Sequence, residues 1–158
     1  MKDLLAFAVK EEIIRSVLKG HNIVFLSGWS KTGKTVSLLR ALSAFETKLY
    51  FSHLRESQKK ALSADQEIQI LGSLNSLRGG GTEETVLVID DLSTADMEIR
   101  QQVRQLLSNM PKNLKVVVVV KAMIDVKELL PMAEALLRLK KTTAEVIYSI
   151  NQERGEND

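Results

Sequence analysis

The chain has no cysteine, two prolines and one tryptophan among its 158 residues, and aromatic residues make up 4% of it. Without cysteine there is neither a disulfide framework nor a thiolate metal site. So few aromatics, none interleaved with basic residues, leave no base-stacking platform for single-stranded nucleic acid. Charge of one sign is also lacking: 22 Lys and Arg stand against 20 Asp and Glu, a net +2. No global field therefore calls for a polyanion or an acidic membrane as partner. No apolar run approaches transmembrane length, and the N-terminus has no signal-peptide core. These absences predict a cytoplasmic protein with no membrane partner. Hydrophobic residues at 44% and charged ones at 27% are ordinary for a globular chain, and the length suits one domain over 1–158.

One stretch organises what is present. Ile23-Val24-Phe25-Leu26 reads as a buried strand that runs into Gly28-Trp29-Ser30-Lys31-Thr32-Gly33-Lys34-Thr35, and an apolar helix follows from Val36. The spacing is G-x-x-x-x-G-K-T between a strand and a helix, the context that a phosphate-binding loop requires. Gly28 and Gly33 permit backbone conformations that a Cβ would obstruct, so successive amides can wrap a polyphosphate. The helix start aims its positive dipole end at the same anion. Residues Gly28, Trp29, Ser30, Lys31, Thr32, Gly33, Lys34, Thr35 and Val36 are thus the candidate nucleotide contacts. Lys34 would reach the β- and γ-phosphates, and the Thr35 hydroxyl would bind Mg²⁺.

Thr85-Val86-Leu87-Val88-Ile89-Asp90-Asp91 is the second informative stretch. Four consecutive apolar β-formers predict a strand buried on both faces, as in a parallel sheet covered by helices. Asp90 and Asp91 then sit at its carboxyl end, where α/β folds bind ligands. Asp90 is the candidate Mg²⁺ ligand, and Asp91 is a candidate to polarise an attacking water.

The remaining elements follow from periodicity. An amphipathic helix is predicted over 3–19, with Leu5, Val9, Ile13 and Val17 as its apolar stripe. Leu49–Ser52 reads as a strand and 67–77 as a helix, followed by a flexible Gly79-Gly80-Gly81 connection. Ser93-x-x-Asp96 signals a helix start, with Ile99, Val103 and Leu107 on its buried stripe and Arg100 and Arg104 outside. Val116–Val120 is a further buried strand with Lys121 at its end. A helix is predicted over Val126–Leu139, a strand over Thr143–Ile150, and a polar tail over 151–158. The fold class is α/β: a three-layer sandwich whose mostly parallel sheet of about five strands is flanked by helices.

These blocks resemble the RecA-like ATPases, notably the branch of the circadian-clock ATPase, the archaeal recombinases and the DnaB-type helicases. Gly28–Thr35 matches that family's Walker A motif and Val86–Ser93 its Walker B. Leu49–Gln58 is similar to the second strand that ends in a catalytic Glu. Ala133–Lys140 and Val146–Gly155 are similar to its closing helix end and basic turn. The resemblance implies a P-loop ATPase core, ATP and Mg²⁺ as cofactors, and a homo-oligomer or partner ATPase subunit. It also brings DNA as a partner, which nothing else in the sequence supports. In this sequence His53 and Leu54 displace the expected Glu, so Glu56 and Asp91 share candidacy as the water-activating base, and Lys121 stands where an amide or hydroxyl is usual. AAA+ and STAND-type ATPases, whose Walker B can end Asp-Asp, are similar too. A non-catalytic switch and a small-molecule kinase are the alternative functions. Strand order separates the kinase: kinases place the two motif strands side by side, whereas carboxylate-assisted ATPases put another strand between them.

Overall fold

The computed structural model describes residues 2–28, 34–77, 83–141 and 143–150, the side chains of 2–7 and 34–36 apart. Its strands are Ile23–Gly28 (β1), Thr47–Phe51 (β2), Gln69–Ile70 (β3), Thr85–Ile89 (β4), Leu114–Val120 (β5), Ala135–Leu139 (β6) and Ala144–Ser149 (β7), of which β4 and β5 are the β-branched runs. They form one seven-stranded sheet in the order β3-β2-β4-β5-β1-β6-β7. Every neighbouring pair is parallel except β6 with β7. Val86–Ile89 and Val116–Val120 are almost wholly excluded from solvent, so the two central strands need cover on both faces.

Helices supply that cover. The α-helices are Lys2–Gly20 (α1), Lys34–Ala41 (α2), Arg55–Ala64 (α3) and Met97–Ser108 (α4). Ile14 and Leu18 of α1, Leu38 of α2 and Ala61 of α3 share one cluster with Val24, Leu26, Val88 and Val119 of the sheet. Val103 and Leu107 of α4 share the other with Phe25, Leu87, Ile89 and Val118, completed by Val126 and Leu129. Successive strand residues thus feed alternate layers, as the pleat demands. A mostly parallel sheet flanked by helices is therefore the architecture. Among the described residues no helix is long and apolar enough to cross a membrane.

The sequence predicts about five strands and the sheet has seven. The added strands, β3 and β6, come from segments whose patterns suggest helix. Over 67–77, Ile68 is buried on one side of the sheet and Leu74 on the other. The segment must cross the sheet edge, which one helix face cannot do. Ser73 also diverts the backbone, its hydroxyl accepting from the Asn75 amide at 3.2 Å at the head of a 3-10 turn. Over Val126–Leu139, a 3-10 segment Met123–Met132 kinks at Val126 and contains Pro131, which cannot donate to a continuing helix. After it Ala135, Leu137 and Leu139 are buried in alternation with Leu136 and Arg138, a strand period. The Ala133–Lys140 block is consequently largely strand, not the helix end that the resemblance implies.

Smaller corrections concern helix faces. The most buried residues of α1 are Lys10, Ile14 and Leu18; of the predicted stripe, Ile13 and Val17 are half-buried against the same cluster, Val9 is 42% exposed, and the Leu5 side chain lies outside the described residues. Lys10 joins the buried set through its long aliphatic stem, and desolvation lowers its ammonium below the ordinary lysine value. The cap of α4 is Asp96, whose carboxylate accepts from the Ile99 amide at 3.0 Å; Ser93 lies in the preceding 3-10 turn Leu92–Thr94. Arg100 is not part of a solvated face. It pairs with Glu128 and donates to the carbonyls of Ser93 and Asp125, joining three segments. Gly79-Gly80-Gly81 and the 151–158 tail lie outside the described residues.

Leu87, fully buried at the centre of β4, tests this core. Leu87→Ala is expected to lose about 2–5 kcal/mol in urea denaturation. Met97→Ala, at a position 70% exposed, should stay within about 0.5 kcal/mol of the unmodified chain.

Candidate functional site

Parallel pairing brings the carboxyl ends of β1, β2, β4 and β5 to one edge of the sheet. β1 ends at Gly28, and α2 opens at Lys34, so Lys34, Thr35 and Val36 form its first turn. Trp29, Ser30, Lys31, Thr32 and Gly33 lie outside the described residues. β4 delivers Asp90 and Asp91 to the same edge. β5 lies between β1 and β4, pairing Leu26 with Val119 on one side and Ile89 with Val118 on the other. The two motif strands are therefore not neighbours. The strand that parts them follows β4 in sequence, whereas β2, which precedes it, pairs with the far side of β4.

Two hydroxyls on β2 and its extension hold the two carboxylates. Tyr50 and Ser52, two residues apart, point to the same face. The Tyr50 hydroxyl donates to Asp90 Oδ2 at 2.6 Å, and the Asp91 amide donates to Asp90 Oδ1 at 2.8 Å. Both carboxylate oxygens of Asp90 are thus oriented. Ser52 Oγ donates to Asp91 Oδ2 at 2.5 Å and accepts from the Leu54 amide at 3.1 Å, while the Gln58 side chain donates to the Ser52 carbonyl at 2.7 Å. His53 Nε2 lies 3.2 Å from the Asp91 carbonyl and 2.9 Å from Thr94 Oγ1. The carbonyl can only accept, so that contact needs a proton on Nε2.

Asp91 leaves the strand with φ 60° and ψ 26°, in the left-handed region. Aspartate tolerates this backbone better than most residues. The turn lets the chain pass at once into the 3-10 segment Leu92–Thr94. Tyr50 is 2% exposed. Burial first, and then the negative Asp90 beside it, push its phenol above the ordinary tyrosine range. It therefore remains a neutral donor to Asp90 at physiological pH.

These groups border a crevice of about 270 Å³. Its walls include Tyr50, Leu54, Lys60, Asp90, Asp91 and Lys121. Lys121, at the end of β5, thus faces the crevice that the sequence predicts. Glu56 does not: it is exposed on the first turn of α3, while Leu54, Ser57 and Lys60 carry that helix's contribution to the wall. Of the two candidate bases only Asp91 stands in the crevice. Tyr50, Ser52 and Lys60 are absent from the sequence-derived set. A polar pair with period two at the carboxyl end of an otherwise buried strand is the signal that marks the first two.

No family model matches the chain, and no curated protein matches it. Among solved structures, a protein of Pyrococcus horikoshii known from a structural study is similar, with a TM-score of 0.59 and 8% identity. The similarity covers 91% of this chain and 94% of that one. At such identity it bears on fold alone, and it spans nearly the whole α/β unit.

Tyr50 carries a pH dependence of known sign. Its folded-state pKa lies above the ordinary 10.0, so the folded chain keeps a proton that the unfolded chain releases. The resulting stabilisation is full below pH 10 and is lost as pH rises beyond it. Denaturation midpoints followed through that range should fall more steeply for the unmodified protein than for Tyr50→Phe.

Proposed function

We propose that the chain binds ATP with Mg²⁺ and hydrolyses it slowly, as a minimal P-loop ATPase of RecA-like type. In this reading the backbone of Gly28–Gly33 wraps the phosphates, Lys34 neutralises the β- and γ-phosphates, and Val36 continues the contact surface. Thr35 and Asp90 hold the metal. Mg²⁺ takes hard oxygen ligands and commonly only one or two from protein, the rest coming from phosphate and water. Asp90, an oriented carboxylate beside an open crevice, fits that donor set. When bound, the ion would neutralise charge developing on the phosphates. In the same reading Asp91, the candidate base that lines the crevice, orients water.

The observation that carries this reading is the insertion of β5 between β1 and β4. It is the arrangement expected of carboxylate-assisted ATPases, and it argues against the small-molecule kinase, in which the motif strands adjoin. A cation from a neighbouring copy or partner subunit would raise the rate, since such sites often complete their charge stabilisation in trans.

A second reading, a nucleotide-dependent switch without turnover, has its own support. Ser52 already engages the Asp91 carboxylate, and Glu56 lies off the crevice wall. Both features weaken water activation while leaving nucleotide binding intact.

Phosphate release from purified protein distinguishes the readings. Slow release that disappears in Lys34→Ala is the expected result; release that survives the substitution rules the ATPase out. Tight Mg²⁺-ATP binding with no release at any protein concentration supports the switch.

A further inference from the structure

We infer that Tyr50 is a positioning residue for the metal ligand Asp90, setting how strongly nucleotide binding depends on Mg²⁺. The inference rests on the nucleotide reading above and extends it to a residue outside the motif stretches.

The reasoning starts from solvation. A buried phenol must find an acceptor or lose the hydrogen bonds that water gave it. In the β2–β4 register Tyr50 stands opposite Val88, so Asp90 is two residues further along the same face. The ring spans that offset and its hydroxyl reaches Asp90 Oδ2 at 2.6 Å. Val88 and Tyr50 belong to the cluster that includes Leu38 and Leu42. This is the layer that contains α2, whose first turn carries Thr35. Tyr50 thereby holds the Asp90 carboxylate from the face of the sheet that α2 covers.

These two hydrogen bonds constrain the carboxylate in complementary ways. The Asp91 amide fixes Oδ1 from the backbone side, and the phenol fixes Oδ2 from β2. Held at both oxygens, the carboxylate has its plane set by groups on two different strands' ends. Partners behind a metal ligand fix its orientation, and removing one commonly costs 10- to 100-fold in metal affinity. A purely structural tyrosine would act differently. Its loss would weaken the fold, and nucleotide binding would change alike with and without metal.

A fluorescent ATP analogue, titrated in excess EDTA and across a series of Mg²⁺ concentrations, separates these cases. In Tyr50→Phe, which keeps the ring and loses the hydroxyl, the Mg²⁺ needed for half-maximal binding should rise about tenfold. Affinity in EDTA should stay within about twofold. Unchanged Mg²⁺ dependence, or an equal loss in both conditions, overturns the inference and leaves the nucleotide site standing. Failure of the unmodified protein to bind the analogue in either condition overturns the site and the inference together. A measurement on the unaltered chain covers the case in which Tyr50→Phe does not fold. Ultraviolet resonance Raman of the tyrosines should report a donor phenol both before and after Mg²⁺ and analogue are added. Loss of the donor signature on binding overturns the inference.

Discussion

Parallel pairing is the constraint on which the rest depends. Once β1, β5, β4 and β2 run in one direction, their connections must cross over a face of the sheet, and helices must pay the covering debt on both sides. The same direction sends every carboxyl end to one edge. Gly28, Ser52, Asp90 and Lys121 belong to distant parts of the chain, yet all follow from that single alignment. The valine run of β5 is central to it, since β5 pairs with both motif strands and sets their separation.

Hydrogen bonds then convert proximity into geometry. β2 contributes a hydroxyl to each aspartate at the end of β4, and the loop after Ser52 is fastened through the same serine to Leu54 and Gln58. A part-buried ion pair, Lys48 with Asp65 at 2.5 Å, holds the far end of α3 to β2. Between these anchors α3 buries only Ala61 in the core. Its position is governed more by polar contacts at its ends than by apolar packing along its length.

Much of this was readable in the residues because strong local signals agreed with the fold. The glycine spacing after Ile23–Leu26 and the apolar run before Asp90 each specify one kind of element, and both strands form where they are predicted. The failures have a common cause. Gln69–Ile70 and Ala135–Leu139 lie in stretches with intermittent apolar residues that fit a period of two or of 3.6 equally well. Long-range requirements decided between them: a chain crossing the sheet edge at Ile68–Leu74, and a vacant edge of β1 waiting for a partner strand. On α1 the buried face is shifted by one residue from the apolar stripe: Ile13 and Val17 lie at its border, and Lys10, which reads as surface by its charge, is buried. The roles of Tyr50 and Ser52 exist only across the β2–β4 pairing, with partners about forty residues away in the chain.

The left-handed backbone at Asp91 also bears on which acid can stand there. A residue other than glycine at φ 60° is strained by about 1–2 kcal/mol, and Asp is one of the few that occupy this region with any regularity. The Asp91 carboxylate makes no hydrogen bond that caps its own turn; it is held instead by Ser52, just past β2. The acid that ends this strand is thus matched to the turn by its backbone tolerance and to the crevice by a serine from a distant part of the chain.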